Sequence, residues 1–278
     1  MHNLLRTLVF DGQVSLTLAD TKETVNTAIK LHKLSPASAV ALGRAISAMT
    51  FMSACLKEET GEISLSFQSD GTCGGMGISG NRQLFLRGYI ENTQAKGDEE
   101  EILGKNGALT IVRDDGYSRP FVGSCAFLGQ GGIDGAFEEY YRISEQLPTY
   151  IATNVELNER GECVFAGVAA LQPLTFADET TLEKTKNTPL KKLLSTLKIK
   201  GLQACADEHF TLDKQVWELR EAQYRCHCSR DYLQRVLVTL GKEQVNEIIQ
   251  GEGAVRVHCH YCNSDYEFTQ ADADKLFG

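Results

Sequence analysis

The sequence predicts an α+β protein, in which helices pack on a mixed or largely antiparallel sheet and a helical linker leads to a small C-terminal module. Three observations support this prediction. Strand-like segments dominate residues 1–177, strand signals become rare over residues 178–224, and residues 225–278 carry two closely spaced cysteine pairs. We therefore predict a core domain over 1–177, a linker over 178–224 and a module over 225–278.

The composition is typical of a globular protein. The chain has 278 residues, of which 42% are hydrophobic, and this length suffices for one sizeable core and a smaller module. It contains no run of 18 apolar residues, and its first residues lack the pattern of a signal peptide. We therefore expect a cytoplasmic protein with no membrane partner. Five scattered cysteines are expected to be free thiols, buried or half-buried, in a reducing compartment: Cys55, Cys73, Cys125, Cys163 and Cys205.

Local patterns assign the elements of the core domain. Asp11-Gly12 separates two alternating segments, which is a strong hairpin signal. Pro36 begins a long helix whose apolar residues recur at helical spacing. A second helix is expected over about residues 135–146, because Pro148 ends it. Strands are predicted over residues 4–10, 13–19, 63–68, 76–79, 83–90, 108–113, 121–127, 150–157 and 163–171.

The linker contains one amphipathic helix. Thr188 and Pro189 predict an N-cap followed by a proline at the first helical position, and Gly201 ends the helix. Its apolar stripe consists of Leu190, Leu193, Leu194 and Leu197. The segment is too poor in apolar residues to fold alone, so the helix must lie on another surface. It is either permanently docked or able to detach.

Two cysteine pairs predict a metal site. They are Cys226-His-Cys228 and Cys259-His-Tyr-Cys262. Zinc prefers thiolate ligands, and structural zinc sites are closed and four-coordinate. The favoured interpretation is one zinc ion per chain, held by the four cysteines. The spacing also allows two adjacent disulfides or four ordinary buried cysteines, and three neighbouring histidines could replace one ligand: His227, His258 and His260.

The C-terminal zinc-binding module is expected to depend on its metal. Ser229 caps a helix that Gly241 ends, a second short helix follows, and strands are predicted over 254–258 and 266–268. A unit this small is marginally stable without a cross-link. Structural zinc contributes about 10–16 kcal/mol of apparent binding free energy, which compares with about 5–15 kcal/mol for a whole domain. Because a disulfide across one residue is strained and reversible, the site is also a candidate redox switch.

Charge and motif content disfavour two other functions. The net charge is −9, and residues 226–278 contain 5 Lys and Arg against 8 Asp and Glu. A nucleic-acid-binding module would carry a basic face, so we expect no nucleic-acid partner. No catalytic grouping is recognisable, and the acidic run 98–101 is expected to be a solvated loop. We therefore expect no enzyme, because thiolates held on zinc are also poorly suited to a thiol–disulfide oxidoreductase.

Short motifs along nearly the whole chain resemble one known family. In the module they are Cys226–Asp231, Leu240-Gly241, Cys259–Asn263 and Tyr266–Phe268, and in the core domain Leu42–Ala45, Ser69–Gly71, Arg87–Tyr89, Ser144–Pro148, Ala166-Gly167 and Leu171-Gln172. Together they resemble the heat shock protein 33 family, the bacterial redox-regulated holdases also called 33 kDa chaperonins. Tyr232 and the extra thiol Cys73 depart from the family pattern.

The resemblance implies an ATP-independent chaperone that is inactive while reduced and zinc-bound. It implies that oxidant converts Cys226–Cys228 and Cys259–Cys262 to disulfides, releases zinc, unfolds the module and frees the linker. The protein then binds unfolding proteins and prevents their aggregation under oxidative or heat stress, as a homodimer. On this view the leucine stripe of the linker helix belongs to the client-binding surface.

Overall fold

The computed structural model of this chain describes residues 2–211 and 217–278. Met1 and residues 212–216, which fall within the predicted core domain and linker, lie outside the described residues. The chain forms two compact units, Met1–Arg225 and Cys226–Gly278. All the described residues of the predicted linker thus belong to the first unit. The boundary at residue 177 stays a prediction.

The first sheet of the larger unit has five strands, and every neighbouring pair is antiparallel. The strands are β1 (Leu4–Val9), β2 (Val14–Asp20), β8 (Tyr150–Leu157), β9 (Cys163–Pro173) and β10 (Glu218–Arg220). Their order is β10-β1-β2-β9-β8. The hairpin at Asp11-Gly12 is confirmed, because Val9 pairs with Val14 across a turn in which Phe10, Asp11 and Gly12 have positive φ.

The second sheet has six strands in the order β11-β5-β4-β3-β6-β7. They are β3 (Glu62–Ser69), β4 (Gly75–Asn81), β5 (Phe85–Ile90), β6 (Gly107–Asp114), β7 (Phe121–Phe127) and β11 (Gln223–Tyr224). All neighbours are antiparallel except β11 and β5, which are parallel. The predicted α+β class with a mixed, largely antiparallel sheet is therefore confirmed.

Seven α-helices accompany these sheets in the described part of the unit. They are α1 (Lys22–His32), α2 (Pro36–Ala54), α3 (Glu99–Leu103), α4 (Gly132–Tyr140), α5 (Glu179–Lys186), α6 (Leu190–Lys200) and α7 (Leu202–His209). A π-helical turn, Tyr141–Glu145, continues α4. Helix α2 is long and apolar enough to cross a membrane, but 83% of its most apolar window is buried in the protein. Its residues Leu42, Ile46 and Met49 belong to the largest hydrophobic cluster, so α2 is a core helix.

Two local predictions were wrong. The acidic run 98–101 is not a solvated loop, because the Asp98 carboxylate accepts a hydrogen bond from the Glu101 N–H and the Glu101 carboxylate accepts one from the Asp98 N–H. This reciprocal pair is a capping box, and it begins α3. Thr188 does not cap α6: Pro189 occupies the N-cap position, and the Thr188 hydroxyl donates to the Lys184 carbonyl at 2.9 Å.

The linker helix α6 lies on the first sheet. Leu193, Leu194 and Leu197 are buried in a hydrophobic cluster with residues of β2 and β9, whereas Leu190 is only half-buried. Helix α7 adds Cys205 and Ala206 to the same cluster. The amphipathic helix expected here is confirmed.

The five scattered cysteines are free thiols, as predicted. Cys55 is half-buried and the other four are buried.

The second unit, Cys226–Gly278, is small and has its own core. Its elements are α8 (Arg230–Leu240), α9 (Lys242–Glu252), β12 (Val255–Cys259), β13 (Ser264–Phe268) and α10 (Gln270–Phe277). As predicted, Ser229 caps α8, its hydroxyl accepting the Tyr232 N–H at 3.1 Å. The core consists of Leu237, Val245, Ile249, Val255, Phe268 and Ala273. Strands β12 and β13 form an antiparallel hairpin.

A candidate metal centre of four cysteines

The four predicted ligands come from two places in the second unit. Cys226 and Cys228 precede helix α8, Cys259 is the last residue of β12, and Cys262 lies in the turn that leads to β13. The Asn263 N–H donates to the Cys259 carbonyl at 2.8 Å, and Asn263 has a positive φ of 54°. This tight turn brings both cysteines of the second pair to one side of the hairpin.

The structure brings all four sulfur atoms together. Cys226 Sγ lies 3.3 Å from Cys228 Sγ and 3.7 Å from Cys259 Sγ, and Cys228 Sγ lies 3.1 Å from Cys262 Sγ. The four Sγ atoms all lie within 4.8 Å of one another. A disulfide has a sulfur–sulfur distance of about 2.05 Å, so these are separate thiols.

The donor set and its spacing fit a small soft cation. Zinc–sulfur bonds measure about 2.3 Å, so a regular tetrahedron of four thiolates has sulfur–sulfur edges of about 3.8 Å. The three sulfur contacts given above, at 3.1–3.7 Å, are shorter than that edge, and the four Sγ atoms all lie within 4.8 Å of one another. The four cysteines could therefore hold one metal ion.

No histidine nitrogen belongs to this group of potential ligand atoms within the described residues. His258 Nδ1 lies 2.7 Å from a carboxylate oxygen of Asp265, on the neighbouring strand. The rings of His258 and His260 meet edge to face, with centroids 5.1 Å apart. Two of the three candidate histidines thus interact with each other or with Asp265. Sulfur alone forms the cluster.

Two hydroxyl groups that the sequence did not single out lie against the sulfur atoms. The Tyr266 hydroxyl is 3.3 Å from Cys228 Sγ, and the Ser264 hydroxyl is 3.3 Å from Cys262 Sγ. Both residues lie on β13, so the hairpin that supplies Cys259 also supplies these two hydroxyls. A hydroxyl that donates to a metal-bound thiolate orients the ligand and tunes the metal.

Arg230, which follows the first cysteine pair, contacts residues elsewhere in the second unit. Its guanidinium donates to the Glu267 carbonyl at 2.9 Å, pairs with Asp272 at 2.9 Å, and lies 4.5 Å above the Phe268 ring. These contacts join the start of α8 to β13 and α10. The position of Cys228, two residues earlier, is therefore coupled to the hairpin.

The crowding of the sulfur atoms shifts their acidities in different directions. Burial raises the pKa of Cys228 and of Cys259. Burial acts in the same direction on Cys262, but hydrogen bonds from Ser264 and the neighbouring thiols outweigh it and lower the pKa of Cys262 to about 7. The hydrogen bond to Cys228 raises the pKa of Tyr266 to about 12. Several thiolates so close together need a cation to offset their repulsion.

Comparison with known proteins identifies the family. The sequence profile described as "Hsp33 protein" matches residues 2–269, which is nearly the whole chain. The chain belongs to the Hsp33 family.

Curated Hsp33 relatives match the chain over nearly its full length. A 33 kDa chaperonin of Acetivibrio thermocellus is 32% identical over 288 residues, covering 98% of this chain and 96% of the relative. A 33 kDa chaperonin of Clostridium novyi is 30% identical over 287 residues, covering 98% and 97%. These relatives are named as chaperonins and not as enzymes. Family membership therefore places the chain among the molecular chaperones.

A solved structure confirms the fold. The 33 kDa chaperonin (HSP33) of Thermotoga maritima superposes with a TM-score of 0.83 and covers 99% of this chain and 97% of its own. Its sequence identity is 24%, so the likeness establishes the shared fold alone. The Hsp33 fold includes both units, because the match extends over the core domain and the cysteine module.

Proposed function

We propose that this chain is a redox-regulated, ATP-independent holdase that the oxidation of its four-cysteine centre switches on. The observation that carries the proposal is the convergence of four thiols in a unit whose hydrophobic core cluster has only six buried residues. So small a core leaves the fold of the unit dependent on what the sulfur atoms bind. The same atoms are the ones that an oxidant attacks.

In the resting state Cys226, Cys228, Cys259 and Cys262 hold one zinc ion as thiolates. Bound zinc neutralises the thiolates and cross-links the start of α8 to the β12–β13 hairpin. The Tyr266 and Ser264 hydroxyls then donate to Cys228 and Cys262, since a metal-bound thiolate carries no proton. The module is folded and the protein inactive in this state.

Oxidation then exchanges the metal site for covalent bonds. Two thiolates give two electrons to a peroxide, a sulfur–sulfur bond forms, the O–O bond breaks, and two hydroxide ions result. The proposed pairs are Cys226–Cys228 and Cys259–Cys262. Two peroxides therefore remove all four ligands. The sulfur atoms of the first pair lie 3.3 Å apart, whereas the shortest of the three sulfur–sulfur contacts given above, 3.1 Å, joins Cys228 to Cys262, so disulfide mapping distinguishes the two pairings.

Unfolding of the module is proposed to free the linker that precedes it. Leu193, Leu194 and Leu197 of α6 cover apolar residues of β2 and β9, and separation would expose both faces. An apolar patch of this kind binds unfolded chains, which supplies the client-binding surface. We propose that the active form is a homodimer in the cytoplasm and that its clients are proteins unfolding under oxidative or heat stress.

The decisive experiment measures zinc, thiols and client protection on the same samples. Reduced protein should contain one zinc ion per chain and should not suppress aggregation of a heat-denaturing client. Peroxide treatment should release the zinc, consume four thiols and produce suppression, with the two proposed disulfides found by mass spectrometry. Equal suppression by reduced and oxidised protein would refute the redox switch. Purified reduced protein without zinc would refute the metal site.

A further inference from the structure

The last described linker residues occupy the edges of both sheets of the larger unit. Strand β10 pairs with β1 at the edge of the first sheet, and β11 pairs with β5 at the edge of the second. The Asn3 N–H donates to the Arg220 carbonyl at 3.0 Å. The Gln223 N–H donates to the Leu84 carbonyl at 3.0 Å, and the Arg225 N–H donates to the Leu86 carbonyl at 2.8 Å.

These two strands are held by hydrogen bonds together with apolar contacts, since Ala222 is buried in the largest hydrophobic cluster and Leu219 and Tyr224 pack against hydrophobic clusters. The Asn3 side-chain amide donates to the Ala222 carbonyl at 2.9 Å and accepts the Ala222 N–H at 2.7 Å. The Tyr224 hydroxyl donates to the Gly88 carbonyl at 2.9 Å and lies 3.2 Å from His32 Nε2. β10 has three residues and β11 has two, so neither would be a stable strand without its partner.

The strands beneath them are open to pairing once the linker leaves. β1 reads LLRTLV and β5 reads FLRGYI, so each contains one charged residue, an arginine, and neither contains proline, lysine or an acidic residue. Natural edge strands use such residues, or a covering segment, to prevent pairing with other chains. In this protein β10 and β11 are the covering segments. Leu4, Leu5 and Leu86 are fully buried while the linker is in place.

We propose that the edges of β1 and β5 are binding sites for extended segments of unfolded polypeptide, which add as strands in the places of β10 and β11. This inference rests on the proposed function, because oxidation must release the linker. The occupant is indicated by the segment of this chain already seated there. Recognition through main-chain hydrogen bonds is independent of side-chain identity, and therefore suits a chaperone that binds many sequences.

Strand β7 is an edge strand without a linker strand beside it, and it serves as an internal control for β1 and β5. It is the opposite edge of the second sheet, and its exposed residues include Phe121 and Val122. No linker residue among those described pairs with it. Because no described strand pairs with the outer edge of β7 in the folded protein, binding there would not depend on oxidation. The proposal therefore assigns clients to β1 and β5 and not to β7.

Hydrogen exchange on the full-length protein tests whether clients bind at the edges of β1 and β5. The client probe is reduced, carboxymethylated α-lactalbumin, which is permanently unfolded and has no free thiols. We expect peptides covering residues 2–10 and 83–90 to be protected in reduced protein, to exchange faster after oxidation, and to regain protection when the probe binds. Strand β3, which lies between β4 and β6, should stay protected throughout. Peptides covering β7 should not respond to the probe.

A competing peptide adds a second measurement. The synthetic segment 217–225 should inhibit client protection by oxidised protein. N-methylation at Gln223 and Arg225 removes the two donors to Leu84 and Leu86 and keeps every side chain. We expect inhibition to weaken about tenfold, as two lost hydrogen bonds imply. A scrambled peptide is the control for composition.

Several results would refute client binding at β1 and β5 and leave the proposed holdase function intact. Oxidised protein that protects clients while residues 2–10 and 83–90 stay protected would show that the linker strands do not leave. Probe binding that protects only β7, or neither edge, would place clients elsewhere. Equal inhibition by the N-methylated peptide would show that the backbone is not recognised. Absence of any client protection by oxidised protein would instead refute the proposed function itself.

Discussion

Tyr266 shows how one side chain adjusts a site that the cysteines define. Its position is fixed by the β12–β13 register, in which it pairs with Val257, and its hydroxyl lies 3.3 Å from Cys228 Sγ. A donor at this distance stabilises the thiolate and lowers its electron density. It should therefore strengthen metal retention and slow the first oxidation step.

Replacing Tyr266 by phenylalanine should weaken zinc binding by about 10–100-fold, the usual effect of losing a hydrogen bond to a metal ligand. The ring remains, so the core of the module should be preserved. A chelator-competition titration of reduced protein measures the change. The matched control is Tyr232→Phe, since Tyr232 lies on α8 of the same unit and is 49% exposed. Unchanged affinity in Tyr266→Phe would show that this hydroxyl does not act on the thiolate.

The cysteine pairs could be recognised from spacing alone, whereas their hydroxyl neighbours could not. Thiolate chemistry restricts what two close cysteine pairs can do, so the sequence carries that signal directly. Ser264 and Tyr266 are ordinary strand residues, and only the register of the hairpin brings them to the sulfur atoms. Their role depends on a tertiary contact that has no local pattern.

At the scale of elements, the long helix α2 and the strands of both sheets follow from local periodicity, but the shortest elements do not. β10 and β11 have three and two residues and are strands only because β1 and β5 offer unpaired edges. The capping box of α3 was readable in the sequence as Asp98 followed by Glu101. It was missed because four consecutive acidic residues are also typical of a loop.

Helix α6 should be the element that sets the threshold of activation. Leu193 is completely buried in the cluster beneath the helix, so Leu193→Ala should weaken docking by about 2–5 kcal/mol. We expect the reduced variant to suppress client aggregation partly without oxidant and to be cut faster by trypsin within α6. Ile199→Ala, on the same helix and 79% exposed, is the matched control. Full inactivity of reduced Leu193→Ala would show that docking of α6 does not restrain activity.

The Asn3 amide should control how firmly the linker strands are held. Asn3→Ala removes both hydrogen bonds to Ala222, so exchange of the amides over residues 217–225 in reduced protein should accelerate about tenfold. Asn26→Ala is a matched control, since Asn26 makes the same two bonds to Cys163, each at 2.9 Å, within the core domain. Zinc content should be unchanged in both variants. Acceleration over 217–225 in the Asn26 variant, or none in the Asn3 variant, would contradict this role.

At the scale of the whole molecule, the chain combines a large unit with extensive cores and a small unit with one minor core. The larger unit holds two main hydrophobic clusters, and each sheet contributes to them. The core cluster of the smaller unit has six buried apolar residues. The cysteine spacing and the lengths of the segments predict this difference in core size between the two units. It did not reveal that the linker completes both sheets, because that arrangement depends on contacts between residues more than 100 positions apart.

Removal of the metal from reduced protein should therefore unfold one unit and leave the other. The apparent zinc-binding free energy, about 10–16 kcal/mol, matches or exceeds the total stability of a typical domain, and the larger unit contains no comparable thiol cluster among its described residues. After chelation under reducing conditions, we expect residues 226–278 to lose exchange protection while the strands β2, β3 and β9 keep theirs. Adding zinc back should restore protection, which separates metal loss from irreversible damage. Persistent protection of 226–278 in metal-free, reduced protein would show that the module folds by its own core, and the metal would then have no structural part in the switch.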